Sequence, residues 1–221
     1  MNFVTRCALT ILFAFSAVVL GDAAQAANDI SKINGSVKIE PGQQVGDVST
    51  VNGSVTIGAG ARAAEVETVN GSLKIEDKAV VGSAETVNGS ITVGVEAEVQ
   101  KGVEAVNGSL TLRQGAKVAG GLENVNGSML VEGARVDGGI ETVTGDIRLA
   151  TGSHVTGGIH VEEHKSSWWK GKNSRNPRIT IEQGVTVEGP LHFERAVDLS
   201  VAPGVTLPPV DGVLPQRFRL L

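Results

Sequence analysis

Seven times the chain writes a version of one phrase, most cleanly as Glu-Thr-Val-Asn-Gly-Ser-Ile-Thr-Val-Gly at residues 85–94. Asn34, Asn52, Asn70, Asn88, Asn107 and Asn126 each precede a glycine (Gly35, Gly53, Gly71, Gly89, Gly108 and Gly127), and Thr144 takes the same place before Gly145. The spacings are 18, 18, 18, 19, 19 and 18 residues. So short and regular a period marks a repeat architecture. No single unit can bury its own apolar side, so units must stack and share a core.

The apolar pattern inside each unit says what the units are made of. Four and six places after the residue that precedes each Asn come apolar pairs such as Val37 and Ile39, Leu73 and Ile75, and Leu110 and Leu112. The residues between them (Lys38, Lys74, Thr111) are mostly polar. This alternation of period two is the mark of a half-buried strand. Further apolar residues recur at Val81, Val99 and Val118, and at Val66, Val103 and Leu122. No unit has a helical spacing. The predicted fold is an all-β, single-stranded β-solenoid of about nine coils, each with two or three short strands, and a rod roughly 40 Å long at the usual inter-strand spacing.

Stacking in register accounts for the repeated phrase. Glycine tolerates the positive φ of a sharp corner and asparagine is next best at it. Asparagines one above another can also hydrogen-bond along the rod as a ladder. The six Asn-Gly pairs and Gly145 are therefore read as a structural corner. Asn-Gly-Ser also fits a glycan acceptor, but sugars on neighbouring coils would stand about 5 Å apart and collide.

The repeat breaks at residues 162–178, "EEHKSSWWKGKNSRNPR", and resumes at Ile179 and Ile181. Insertions in repeat proteins map to loops on one face, often the binding face. This one carries Trp168 and Trp169 among Lys165, Lys170, Lys172, Arg175 and Arg178, with no acidic residue from Lys165 onward. Aromatic and basic side chains together suit an anionic partner such as a lipid head group, a glycan or an acidic protein. The alternative is that the tryptophans fold back over the rod. At the far end, Pro208, Pro209 and Pro215 lie in residues 208–221, and proline cannot donate to a ladder. A blunted C-terminal tail after a domain of residues 27–207 is expected, with an open N-terminal coil that pairs with another copy.

Residues 1–26 have one charge near the start, Arg6, then an apolar run from Cys7 to Leu20 and a small-residue stretch, Ala24-Gln25-Ala26. That pattern is a secretory signal peptide, and the run is short of the roughly 20 residues a membrane span needs. Export to the periplasm or cell exterior is the expectation. Cys7 is the only cysteine, so the exported chain is expected to fold without a disulfide. The formal net charge of −5 argues against a general nucleic-acid binder.

Few residues offer chemistry. His160-Val161-Glu162-Glu163-His164 fits H-x-x-E-H, but that motif needs a helix to bring its histidines to one face, and His160 sits in a strand pattern. No metal site, cofactor or catalytic group is expected. Glu67, Glu85, Glu104, Glu123 and Glu141 recur once per coil. They are read as a solvated ridge in preference to a calcium site, since like charges in register repel.

The glycine-punctuated coils, as in "GARVDGGIETVTGDIRLATGSHVTGGIHV", resemble the bactofilins, bacterial polymer-forming cytoskeletal proteins, and adhesin-like β-helix families with "TVNGSI"-type coils. The resemblance covers roughly residues 30–161 and 179–207. It implies a right-handed β-helix, nucleotide-free assembly through the ends and a role in envelope organisation or adhesion. Bactofilins act in the cytoplasm, whereas this chain has an export signal. Three functions stay open: a non-catalytic envelope component that contacts an anionic partner through the Trp loop, a scaffold polymerising end to end, and a carbohydrate-binding or carbohydrate-active protein.

Overall fold

The computed structural model describes residues 28–163 and 175–220. Over these residues the chain is all-β and winds as a solenoid of about nine turns, its strands joined in two parallel sheets. One sheet of ten strands runs in chain order from β2 (Val37–Ile39) to β25 (Arg217–Leu220). The other, of 15 strands, has two limbs that merge through the nine-residue strands β5 (Arg62–Asn70) and β7 (Val80–Asn88). Each full coil thus carries three strand segments. Pairing is in register from coil to coil, so Asn52 lies between Asn34 and Asn70 and Val55 between Val37 and Leu73.

The core is a set of aligned columns. Both members of the apolar pairs are buried in every coil from Val37 and Ile39 to Leu199 and Val201. The Val66, Ala84, Val103, Leu122 column packs against them from the opposite sheet. A third column, Ala61, Ala79, Ala97, Ala116 and Ala134, is also fully shielded. Small residues there let the short turn that precedes them sit close to the axis. The valines before the asparagines (Val51, Val69, Val87) face outward and are half-exposed, and Ile33 is exposed.

Each position of the repeated phrase has its own role. The threonine points inward: the Thr50, Thr68 and Thr86 hydroxyls are buried and donate to the carbonyls of Gly35, Gly53 and Gly71 on the coil before. The asparagines form a ladder, with Nδ2 of Asn52, Asn70, Asn88 and Asn107 each donating to Oδ1 of the asparagine one coil back at 3.0–3.2 Å. The ladder stops at Asn107; farther along, the Thr144 hydroxyl donates to the Val125 carbonyl at 3.0 Å and to Asn126 Oδ1 at 3.3 Å. The serine hydroxyls of Ser36 and Ser54 accept the amides of Ser54 and Ser72.

The glycine has a different reason from the one the sequence suggests. Only Gly35 and Gly127 of this column adopt positive φ (+104° and +138°). At the others the constraint is contact: a Cβ on Gly71, Gly89 or Gly108 would stand 1.9, 1.8 and 1.7 Å from the carbonyl oxygen of the glycine one coil back. The left-handed backbone falls instead at the opposite turn, at Gly42, Gly60, Gly115 and Gly133, where Lys78 and Glu96 fill the same place with φ of 60° and 55°.

The C-terminal segment also departs from expectation. Residues 208–220 do not stop the ladder: β24 (Val210–Gly212) pairs with β22 (Leu191–Phe193), and β25 pairs with β23 (Asp198–Val201), all parallel. Pro208, Pro209 and Pro215 fall between these strands, where no ladder amide is needed.

The two kinds of glycine are separable. Gly108→Ala should lower stability by more than about 3 kcal/mol, because a backbone carbonyl must move to admit the Cβ. Gly60→Ala has open space and a φ of +66°, and should cost only about 1–2 kcal/mol of left-handed strain. Urea unfolding of the two variants measures the difference.

Candidate functional site

Register converts the acidic recurrence into a continuous column on the outer face of one limb. Glu67, Glu85, Glu104, Glu123 and Glu141 are paired in sequence, and the column continues through His160, His192 and Asp211. The strands that hold its last members are β16 (Ile140–Thr142), β19 (Ile159–Val161), β22 and β24. In each of the first three, one outward residue stands between two buried ones, which fixes the side chain on this face.

The upper part of the column is not a solvated ridge. Glu85 is 8% exposed and its Oε2 is shielded without a hydrogen-bond partner. Burial, followed by the charges of Glu104, Glu67 and Glu65, pushes its carboxyl up to about 7, against a smaller lowering by Lys101. Glu67 is likewise raised to about 7 by burial and then by Glu65 and Asp47. Lys101 reaches across two coils to Glu65, Nζ to Oε1 at 2.9 Å. The stacked carboxyls therefore avoid repulsion partly by holding protons near neutral pH.

The lower part is a cluster of histidines and carboxylates. His160 Nδ1 lies 3.0 Å from Glu141 Oε1, and its Nε2 lies 3.6 Å from Glu194 Oε1. The His192 ring is 5.0 Å from that of His160, tilted by 59°, and its Nδ1 is 3.0 Å from Asp211 Oδ2. That contact with His192 is the main cause holding the Asp211 carboxyl below its ordinary range. Glu194 Oε2 accepts the amide of Glu163 at 3.1 Å. His160, His192 and Glu194 each offer one ligand atom within 4.8 Å of the others, and so do Glu141, His160 and Glu162. A groove of about 450 Å³ borders the cluster, lined by Glu123, Glu141, His160, His192, Pro190 and corner glycines such as Gly139. His154, on the other limb, is held between Arg135 and Glu188.

No metal site is expected from the sequence; the structure brings together His160, His192 and Glu194, and Glu141, His160 and Glu162, as groups that could hold an ion. His160 belongs to a strand, as its alternation says, but its neighbours come from other coils. His192 is a register partner that the insertion hides from any spacing rule. His164 lies outside the described residues.

Of the insertion residues, Lys165, Trp168, Trp169, Lys170 and Lys172 also lie outside the described residues. Arg175 and Arg178 are described, at the entry to β20 (Arg178–Ile181). Arg175 is committed to Asp146, its guanidinium 2.9 Å from both carboxylate oxygens, and the Arg178 amide also donates to Asp146. Sequence reading missed Arg217 and Arg219 on β25, which come alongside Arg175 and Arg178 to line a cleft of about 400 Å³ with Asp198 and Ser200. Only the unexpected pairing of β25 with β23 brings them there.

Comparison with known proteins finds no family model that matches the chain, and no match among curated proteins or solved structures.

The raised Glu85 carboxyl gives a signed pH dependence. Its folded value near 7 exceeds the ordinary 4.5, so the folded chain binds this proton more tightly than the unfolded chain. The resulting stability is present below about pH 4.5 and is lost as pH rises through 7. Glu85→Gln should therefore be more stable than the parent at pH 8 by about 1–2 kcal/mol, with little difference at pH 5. Urea unfolding at the two pH values decides it, and an equal difference at both would show that the carboxyl is not displaced.

Proposed function

We propose that this chain is a non-catalytic, exported β-solenoid that serves as a structural element of the cell envelope and associates end to end with copies of itself. The observation that carries this reading is the state of the two ends. Among the described residues, β2 at the start of the ten-stranded sheet and β25 at its finish each have a partner on one side only. A strand edge left in this way is a template for pairing with another chain. At the C-terminal end Phe218 and Leu220 continue the core columns of Leu199 and Val201, yet they are 56% and 71% exposed. In any interior coil those positions are buried. Among the described residues the last coil therefore lacks a neighbour on one side, and a second copy supplies the strand spacing and the apolar columns that match it. Export rests on residues 1–26, and the envelope role on the resemblance to polymer-forming and adhesin-like solenoids.

A second reading, contact with an anionic partner, draws support from the arginine cleft. Arg178, Arg217 and Arg219 line one cleft, and among the described residues their side chains make no ion pair. Guanidinium groups grouped in this way suit phosphate or carboxylate ligands. The cleft lies next to the last strand, so a ligand there and an end-to-end contact would compete for the same part of the rod.

Sedimentation velocity and electron microscopy test the first reading. The protein should form end-linked dimers or filaments, and the Phe218→Lys, Leu220→Lys double variant should sediment as a monomer with unchanged circular dichroism. A strictly monomeric parent at high concentration overturns end-to-end assembly. Flotation with phosphatidylglycerol vesicles tests the second: Arg217→Ala, Arg219→Ala should reduce binding at least several-fold while leaving assembly intact.

A further inference from the structure

We infer that His160, His192 and Glu194 form a binding site for a divalent transition-metal ion of the zinc type, which clips together the two coils on either side of the insertion. The two imidazoles stand one above the other in register on β19 and β22. Each has a carboxylate at Nδ1, Glu141 on His160 and Asp211 on His192, both at 3.0 Å. An imidazole that donates Nδ1–H to a carboxylate keeps its lone pair on Nε2, and this is the outer-sphere arrangement that metal-binding histidines use. Carboxylates of the neighbouring coils, on β16 at one side and β24 at the other, thus favour the ligating tautomer of each ring, through the His192 Nδ1–Asp211 hydrogen bond and the His160 Nδ1–Glu141 ion-pair contact.

The Nε2 of His160 supplies an independent observation. It is shielded from solvent and has no hydrogen-bond partner, which a polar atom seldom tolerates. Glu194 Oε1 lies 3.6 Å from it, too long for a hydrogen bond. Two ligands that each lie about 2.0–2.1 Å from a tetrahedral ion stand roughly 3.3 Å apart. The gap is thus close to that left by a metal between them. Glu194 is held for this purpose by the Glu163 amide on its other oxygen, and the ligand atoms of all three residues lie within 4.8 Å of one another.

The ligand set names the class of ion. Two imidazole nitrogens and one carboxylate oxygen suit zinc and its neighbours, whereas calcium and magnesium take all-oxygen shells. The alternative grouping of Glu141, His160 and Glu162 has one nitrogen and would use the His160 nitrogen already facing Glu141, so it is the weaker site. The carboxyl column above, from Glu67 to Glu123, has oxygen ligands only and carries no such proposal. With three protein ligands the fourth position is left to water from the adjoining groove.

The site would tie β19 to β22 across the longest connection between successive coils, where the chain alone constrains the stacking least. This proposal does not depend on end-to-end assembly.

The test uses chelator-treated full-length protein and Zn²⁺ as the probe, with calorimetry and thermal unfolding. One Zn²⁺ should bind per chain and raise the unfolding midpoint. His192→Gln and Glu194→Gln should each weaken binding by roughly 100-fold or more and abolish the shift, while Asp211→Asn should weaken it about 10-fold as an outer-sphere change. Glu123→Gln and Glu162→Gln should leave it unchanged, and Ca²⁺ should not compete. Bound Co²⁺ should show intense visible bands that His192→Gln loses. Both decisive substitutions are at outward positions, so circular dichroism should be unaltered; if His160→Gln fails to fold, these two still decide. The absence of saturable uptake overturns the proposal. So does uptake that survives His192→Gln and Glu194→Gln, or that falls equally in Glu123→Gln, which would assign binding to the acidic column at large.

Discussion

From Gly53 onward, successive coils meet backbone to backbone at the glycine of the repeated phrase. A carbonyl oxygen there occupies the space where a side chain on the next coil would begin. That contact sets how tightly successive coils nest, and the other regularities follow from it. The asparagine ladder, the inward threonine that caps the crowded carbonyl, and the column of buried alanines all require that one coil repeat the position of the last within a fraction of an ångström. Where a residue is added and the period becomes 19, the Asn107 and Asn126 corners still align, because the pairing of β10 (Val103–Asn107) with its neighbours is unchanged.

Strict register also explains why one outer column can be both acidic and tolerated. Carboxyls stacked at the strand spacing repel if all are charged. Glu67 and Glu85 avoid this by retaining protons, and the column then turns to histidine at His160 and His192, where carboxylates on either side find partners. The same geometric rule thus yields two buried carboxyls raised to about 7 at one end and a nitrogen-bearing cluster at the other.

Most of the fold was legible from the repeat, since period-two pairs such as Leu73 and Ile75 fix both the strand and its inner face. The corner was legible in place but not in cause. Gly89 and Gly108 look like positive-φ glycines and are in fact close-contact glycines, while the left-handed turn is marked by Gly60 and Gly115 and disguised at Lys78 and Glu96. The continuation of the ladder through Arg217–Leu220 was not legible, because three prolines between strands look the same in sequence as three prolines that end them. The cluster at His160 and His192 was hidden by the insertion, which breaks the spacing that would have aligned the two residues. Only the observed register shows that the chain returns to the same place.

Because coils stack in chain order from β2 to β25, the described chain starts at one end of a rod roughly 45 Å long and finishes at the other. The hydrogen bonds between coils point along this axis. A pull applied through the two ends therefore loads the ladders in series, and opens them one turn at a time instead of shearing many bonds at once. Each turn released before the insertion adds 18 or 19 residues of chain, about 60 Å when extended, and the turn that carries the insertion adds 32, from Ile147 to its partner Ile179. Such a rod yields by steps under tension and is stiff under compression, where the glycine backbones are already in contact. A cross-link between β19 and β22 would bar the peeling at the coil beside the insertion, dividing the rod into two independently extensible lengths.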